Sequence, residues 1–185
     1  MGNSAGDSLL SPGRIAFVGP DRHAPTGDAV ETATFTTNDV TDGAAAAFLD
    51  GTDLAVVTSR DEVATTVPAL VSAGVDAVLV TVPVEQRVWF DLVETATEGG
   101  TDLLGPNAAF ANPDAGIRAG IDDDPAAGSV ALVGEDRQTI ASLVAEGIRR
   151  DLGFSTVLAT GEDGTRAPAD VLAPLDDDPA TDVIL

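Results

Sequence analysis

The sequence predicts an α/β protein built on an open, doubly wound parallel sheet. Short, continuous apolar runs recur along the chain, as is typical of strands that are buried on both faces. Apolar residues at helical spacing lie between several of these runs, as expected when each crossover between parallel strands carries a helix. Gly, Pro and Asp separate the two patterns and mark the turns.

The first strands come before residue 60. Arg14 to Gly19 predicts a buried strand that ends at a glycine, and Leu54 to Thr58 predicts the next clear strand. Residues 20–53 form the least regular part, with a short strand expected at Thr32 to Thr36 and a short helix at Ala44 to Leu49.

A helix is expected before the third strand. Val63, Val67, Leu70 and Val71 have helical spacing, but a proline inside a helix costs about 3 kcal/mol. We therefore expect the helix to begin near Pro68, in the first turn, where a missing N–H does no harm.

Asp76 to Thr81 predicts the third strand, and a second helix follows it. Its inward face is expected to carry six residues: Val84, Val88, Trp89, Leu92, Val93 and Ala96. Gly99 and Gly100 end this helix, and Thr101 to Leu104 predicts a short strand. We assign Trp89 to the core.

A second unit begins with a strand at Ser129 to Gly134 and continues to a strand at Ser155 to Ala159. Asp136 is the expected N-cap of the helix between them. Four residues of that helix are expected to point inward: Ile140, Leu143, Val144 and Ile148. A last helix is expected at 167–175, and a last strand at Asp182 to Leu185.

These elements divide the chain into four parts. We predict an N-terminal tail at 1–13, a first unit at 14–110, an irregular linker at 111–128 and a second, partial unit at 129–185.

The composition excludes several classes of protein. Asp and Glu number 31 against 9 Lys and Arg, giving a net charge of -22, which excludes a nucleic-acid-binding protein. A hydrophobic content of 44% predicts that the chain folds. At about 1 M salt the Debye length is about 3 Å, so such a charge would be screened, and we expect a halophilic protein.

Several sequence features are absent, and their absence predicts where the protein is located and whether it binds a metal ion. The N-terminus has neither the basic region nor the apolar core of a secretory signal, and no apolar run could span a membrane, so we expect a cytoplasmic protein. The absence of cysteine excludes disulfides and thiolate metal sites. The triplets Asp122–Asp124 and Asp176–Asp178 lack the spacing of a calcium loop, so we expect no metal.

Ligands of open parallel sheets bind at the carboxyl ends of the strands. Five loops are therefore the candidate sites: 19–23, 58–62, 81–85, 105–107 and 134–138. None of them carries a G-x-S-x-G elbow, a P-loop or a G-x-G-x-x-G fingerprint.

Four blocks carry a family resemblance: Arg14 to Gly19, Leu54 to Thr81, Leu104 to Asn107, and Ser129 to Leu185. Together they resemble the CoA-binding and first ligase domains of the NDP-forming acyl-CoA synthetases. This family includes the succinyl-CoA ligase alpha subunit and the ADP-forming acetate-CoA ligases. The most specific stretch is SVALVGEDRQTIASLVAEGIRRDLGFSTVLATGED. The resemblance implies a Rossmann-like unit followed by a partial flavodoxin-like unit.

The resemblance also implies a CoA site with ten residues. By position in the family, the nucleotide would face Gly19, Pro20, Asp21 and Arg22. The pantetheine arm would be flanked by Thr58, Ser59, Thr81 and Pro83, and the thiol end would lie near Pro106 and Asn107. Because no second glycine follows Gly19 in register, contacts to an anion there would fall to Arg22 and to His23.

The same resemblance implies that no catalytic residue is present. The family passes a phosphoryl group through a histidine in its second unit, whereas the one histidine here is His23, in the first loop. The segment Gly134-Glu135-Asp136-Arg137 replaces the Ser-Gln-Ser-Gly turn of the family and places two carboxylates where a phosphate would bind. The chain ends before the catalytic-histidine segment would arrive and has no ATP-grasp portion, so we expect no thioester synthesis by the chain alone.

Three functions stay open. The chain is a non-catalytic CoA-binding protein, a subunit of a split acid-CoA ligase completed by a beta-type or ATP-grasp partner chain, or a scaffold or regulatory paralogue that binds no nucleotide. Since exposed apolar edges invite pairing, we expect such a partner or a second copy to cover the strand edge at Ile184 and Leu185.

Overall fold

Residues 9–19 and 30–185, described by a computed structural model, form two five-stranded sheets with helices between the strands. The strands are β1 Arg14–Val18, β2 Glu31–Phe35, β3 Leu54–Val57, β4 Ala77–Val80, β5 Asp102–Leu104, β6 Ala109–Asn112, β7 Ile117–Ala119, β8 Ala127–Gly134, β9 Phe154–Ala159 and β10 Val183–Ile184. The helices are α1 Thr37–Thr41, α2 Ala46–Leu49, α3 Val63–Ser72, α4 Gln86–Gly99, α5 Arg137–Arg149 and α6 Leu172–Asp176. Two 3₁₀ turns, Arg60–Glu62 and Pro168–Val171, precede α3 and α6.

The first sheet has the order β2-β1-β3-β4-β5 and is parallel throughout. The predicted α/β class is therefore confirmed. The chain moves outward in one direction from β1 to β2 and in the other from β3 to β5, so β1 and β3 flank the topological switch point. All five carboxyl ends lie at one edge of the sheet.

Different layers cover the two faces of the first sheet. Ala16 and Val18 of β1 belong to a core shared with α3 and α4, whereas Ile15 and Phe17 point to the other face. There they join a core with Phe110 and other residues of the second sheet. The second unit thus takes the place of a helical layer on that face, and one continuous core joins the two sheets.

Pro68 lies inside α3, so the expectation that the helix begins there is wrong. The helix starts at Val63, directly after the 3₁₀ turn. Val63, Val67 and Leu70 are fully buried under the sheet, and this burial holds the turn before the proline in place. Tertiary packing outweighs the local cost of the proline.

The helix α4 buries three of the six residues expected on its inward face; Val88 and Val93 pack half-buried against the same core, and Val84 precedes the helix. Trp89, Leu92 and Ala96 are its buried residues, and Trp89 is 2% exposed, which confirms its place in the core. Gly100 ends the helix in the left-handed conformation with a φ of 73°, which glycine adopts without strain.

The second sheet has the order β10-β8-β9-β6-β7 and is mixed. β8 pairs in parallel with β9 and β10, whereas β6 runs antiparallel to β9 and β7. Residues 111–128, expected to form an irregular linker, contain β7 and the end of β6 and thus supply part of this sheet. These strands are too short to show a period in the sequence. Where the two units divide remains a prediction.

The helix α5 differs from its pattern on one side. Asp136 caps it as predicted, and Ile140 and Val144 are buried. Leu143 and Ile148, expected to point inward, are 48% and 37% exposed. The helix buries a narrower stripe than the sequence predicts because the sheet face beside it has no further helical cover among the described residues.

Among the residues described, no helix combines the length and the apolar character needed to cross a membrane.

Candidate functional site

The switch point brings together three of the predicted CoA residues. Gly19 follows β1 with a φ of +118°, a conformation that favours glycine. A Cβ built on Gly19 would lie 2.6 Å from Thr58 Oγ1 and 2.9 Å from the Ser59 backbone nitrogen. Gly19, Thr58 and Ser59 therefore pack against one another, and only glycine fits the first of these positions.

Threonines extend the hydrogen-bond ladder beyond the strand ends. Thr58 N–H donates to the Val18 carbonyl at 3.0 Å, and Thr81 N–H donates to the Val57 carbonyl at 3.1 Å. Their hydroxyls reach the same two carbonyls at 3.4 and 3.3 Å. The backbone at Thr58 and Thr81 is thus held in the direction of the strands, so both residues stand at the carboxyl edge of the sheet.

A second group lies at the ends of β4 and β5. Asn107 has a φ of 58° and donates its N–H to the Val82 carbonyl at 3.2 Å. Gly105, joined to Pro106 by a cis peptide bond, donates its N–H to the Thr160 carbonyl at 2.7 Å. Pro83 directly follows Val82 in the sequence, and its side chain is exposed. Backbone contacts therefore fix Pro106 and Asn107 between the first unit and the loop after β9.

A cleft of about 200 Å³ opens beside this second group. Its walls come from the turn after β5, the first turn of α5 and the loop after β9: Pro106, Asn107, Glu135, Asp136, Arg137, Gln138, Gly161 and Glu162. The two predicted thiol-end residues thus line a concave surface between the two units.

Arg137 is a site residue that the sequence analysis did not select. It is the first residue of α5, and its Nη1 donates to the Thr81 carbonyl at 3.0 Å. This contact joins the second unit to the end of β4. The available signal was its place in the loop 134–138, at the carboxyl end of a strand; the contact with Thr81 appears only when the chain folds.

Carboxylates outnumber cationic side chains among the residues that line the cleft. Asp136 accepts a hydrogen bond from the Thr139 N–H at 2.7 Å, and its hydrogen bonds with Thr139 lower the pKa of its carboxyl. Asp136 is therefore a charged helix cap, as the sequence predicted. Glu135 and Glu162 add two more carboxylates, against the single guanidinium of Arg137 among the lining residues.

Three predicted site residues, Pro20, Asp21 and Arg22, lie outside the described residues, as does His23. Six of the other seven fall into two groups, and the seventh, Pro83, is exposed in the segment after β4. The structure brings together Gly19, Thr58 and Ser59 at the switch point, and it places Thr81, Pro106 and Asn107 around Arg137. Their roles toward a ligand stay predictions.

Within 9–19 and 30–185, no group of three or more His, Cys, Asp or Glu side chains is arranged to hold a metal ion.

The comparisons with known proteins rest on structure alone. No family model matches the sequence, and no curated protein matches it. The chain superposes on a dinucleotide-forming acetyl-coenzyme A synthetase of Ca. Korarchaeum cryptofilum with a TM-score of 0.80 and 21% identity, covering 96% of this chain and 44% of that one. A protein of Pyrococcus horikoshii matches with a TM-score of 0.80 and 21% identity, over 96% of this chain and 47% of that one.

An ATP citrate lyase of Methanothrix soehngenii, solved in complex with citrate and coenzyme A, matches with a TM-score of 0.74 and 16% identity. The match covers 97% of this chain and 36% of the lyase. The chain thus spans less than half of each of these proteins. The resemblance to the NDP-forming acyl-CoA synthetases is confirmed at the level of fold: the chain has the two-sheet α/β fold of the matching parts of these synthetase and lyase chains.

Proposed function

We propose that the chain is a CoA-binding protein related to the NDP-forming acyl-CoA synthetases and that it forms no thioester by itself. The observation that carries the proposal is the packing of Gly19 against Thr58 and Ser59 at the switch point. This is the place where open α/β sheets bind nucleotides. The shared fold with an acetyl-coenzyme A synthetase supports the choice of CoA as the nucleotide.

The nucleotide end of CoA would lie at the carboxyl end of β1, beside Gly19. Gly19 has no side chain to keep a pyrophosphate away from the backbone. Arg22, three residues further along the sequence, supplies a positive charge in a chain with a net charge of -22. A charge-assisted hydrogen bond from Arg22 to a phosphate is the strongest single contact that the sequence offers here.

The pantetheine arm would cross the carboxyl edge of the sheet. The distance across the sheet from β1 to β5 is three strand spacings, or about 14 Å, with β3 and β4 between them. Thr58 and Ser59 follow β3, and Thr81 and Pro83 follow β4, the two strands that this path would cross. An extended ligand would thereby reach from the switch point to the cleft.

The thiol end would enter the cleft beside Asn107, where Arg137 holds the Thr81 carbonyl. Glu135 and Asp136 in the same cleft oppose binding of a phosphate or of a phosphorylated side chain. This charge pattern supports a site that keeps CoA and has lost the phosphoryl-transfer step.

A second candidate function, as one subunit of a ligase, is favoured by the small share of each matched structure that the chain covers. The matches cover 36–47% of the length of the structures that the chain resembles, which leaves room for further ligase parts in a partner. In this alternative the chain is one subunit of an acid-CoA ligase, and a partner carries the histidine and the ATP-grasp portion. The chain incubated with CoA, ATP and acetate would be inactive alone and active only with that partner.

Calorimetric titration in molar KCl tests the main proposal. CoA and acetyl-CoA are each expected to bind saturably, and ADP more weakly because it lacks the pantetheine arm. Arg22→Ala should weaken CoA binding by about 1.5 to 3 kcal/mol, the usual value of a hydrogen bond to a charged group. Arg149→Ala, which removes an exposed arginine near the far end of α5, is the matched control and should leave the affinity unchanged.

Three results would contradict the proposal or part of it. An absence of heat with all three ligands would favour the non-binding scaffold. Thioester formation by the purified chain alone would show that it is a complete enzyme, and unchanged affinity in Arg22→Ala would refute the proposed place of the pyrophosphate.

A further inference from the structure

An apolar groove of about 610 Å³ runs along α5 on the second sheet, from Glu135 and Asp136 beside the cleft toward the C-terminal end of the helix. Its floor includes Val130 and Leu132 of β8, and its rim includes Leu143, Leu152 and Leu185. These three leucines are 48%, 43% and 64% exposed. The groove therefore leaves large apolar side chains in water.

The groove exists because one helix cannot cover this face of the sheet. Helices pack about 8–10 Å apart, roughly twice the spacing of strands. α5 packs through Ile140 and Val144 on the central strands of the sheet. At the edge, Val183 of β10 stays 47% exposed.

One stripe of side chains on α5 lines the groove, and its middle residue, Leu143, is equidistant from the two ends. Asp136, Thr139, Leu143, Glu146 and Arg150 line the groove at alternating intervals of three and four residues, so they form a single stripe. Leu143 lies seven residues from Asp136 at one end and seven from Arg150 at the other, or about 10.5 Å in each direction along a helix.

The charges at the two ends of this stripe are opposite. Glu135 and Asp136 mark the N-terminal end, and Arg150 marks the C-terminal end. Arg150 forms an ion pair with Glu146 of its own helix at 2.7 Å, and its side chain stays 70% exposed, so further donors remain available to a second carboxylate.

We propose that this stripe is the contact surface between two copies of the chain, with the two α5 helices antiparallel. A two-fold axis through the midpoint sets Leu143 against Leu143 of the second copy and Asp136 against Arg150 of the second copy. Such an interface is self-complementary, as two-fold symmetry requires. Leu152 and Leu185 lie beside the stripe and lose exposed apolar surface in the same contact.

Salt governs the association of these copies. Each copy carries a net charge of -22, so two copies repel each other in dilute buffer. At about 1 M salt the Debye length is about 3 Å, which screens this repulsion while the apolar contact at Leu143 persists. The dimer is therefore expected in molar KCl and is lost at low salt.

Sedimentation of the full chain at several concentrations in molar KCl tests the proposal. A concentration-dependent dimer is expected. Leu143→Glu sets two carboxylates against each other at the axis and should give a monomer. The control is Leu172→Glu on α6, because Leu172 is similarly exposed, at 44%, and does not line the groove; it should stay dimeric.

A cross-link identifies the residue at the axis. The chain has no cysteine, so Leu143→Cys introduces a single thiol per copy. Oxidation with copper phenanthroline should link most of the Leu143→Cys protein into covalent dimers in molar KCl, whereas Leu172→Cys should stay mostly unlinked.

The end contacts are tested by reversing charges. Arg150→Glu should weaken the dimer, but less than Leu143→Glu does, because molar salt also screens the end contacts, and adding Glu135→Arg should recover part of the loss; Asp136 is left in place because it caps the helix. A chain that is monomeric at all concentrations in molar KCl would overturn the proposal. So would a dimer that survives Leu143→Glu, since its interface would then lie elsewhere.

Discussion

Arg137 of the second unit donates a hydrogen bond from its Nη1 to the backbone carbonyl of Thr81, at the end of β4 in the first unit, at 3.0 Å. The contact closes the edge of the candidate cleft. It also couples the position of α5 to the loop along which we place the pantetheine arm.

Replacing Arg137 tests this coupling. Arg137→Ala removes a charged donor to a half-buried carbonyl and should lower the free energy of unfolding by about 1 to 2 kcal/mol. CoA affinity should fall as well, because the Thr81 loop loses its support. Urea denaturation and calorimetry measure the two effects, with Arg149→Ala as the control. Unchanged stability and affinity would show that the contact is unimportant to both.

Gly19 and Gly43 form a matched pair for testing the switch point. Both have a positive φ, +118° and +78°, but a Cβ on Gly43 would meet nothing within 4 Å, whereas a Cβ on Gly19 would meet the Ser59 nitrogen at 2.9 Å. Gly43→Ala should therefore cost only the left-handed strain of about 1 kcal/mol. Gly19→Ala should cost clearly more and should reduce CoA binding. Equal losses of stability in the two variants would contradict the tight packing at Gly19.

An ion pair links Asp102 of β5 to Arg166 in the segment after β9. Arg166 Nη2 lies 2.8 Å from Asp102 Oδ2, and the two side chains are 26% and 16% exposed. Hydrogen bonding of the Arg166 guanidinium to the Asp102 carboxylate raises the pKa of Arg166, so the guanidinium stays charged. Asp102→Asn should lower stability by about 2 kcal/mol, below the value for a fully buried pair because the arginine is partly solvated. Asp91→Asn, at an exposed position of α4, should change little when both are compared in urea.

The N-cap of α5 predicts a change of stability in acid. Hydrogen bonds with Thr139 hold the pKa of Asp136 below its ordinary value of 3.8 in the folded chain. The charged cap therefore stabilises the fold fully above pH 3.8, and its contribution is lost as the pH falls through the lowered pKa. Asp136→Asn keeps a capping oxygen but does not titrate, so its thermal midpoint should fall less steeply below pH 4. Identical acid profiles by circular dichroism would contradict this role.

The sequence by itself determined the parallel first sheet, the strands of the second sheet other than β6 and β7, and the N-cap at Asp136. These features depend on local patterns: continuous apolar runs for buried strands, helical spacing for α4, and a short polar residue before α5. The family resemblance carried by four blocks of residues led to the same fold that the structural matches have. High-salt adaptation and a cytoplasmic location stay predictions.

The tertiary structure decided what depends on contacts between distant residues. Pro68 is accepted inside α3 because Val63 and Val67 are buried under the sheet, which the local cost of a proline cannot reveal. Leu143 is exposed because the sheet face beside α5 lacks a second helix among the described residues, although its spacing alone matches a buried position. The contact of Arg137 with Thr81 joins residues 56 positions apart, and no pattern in either segment indicates it. Local physics fixes which segments become strands and helices, whereas packing between them decides which side chains are buried and which meet at the site.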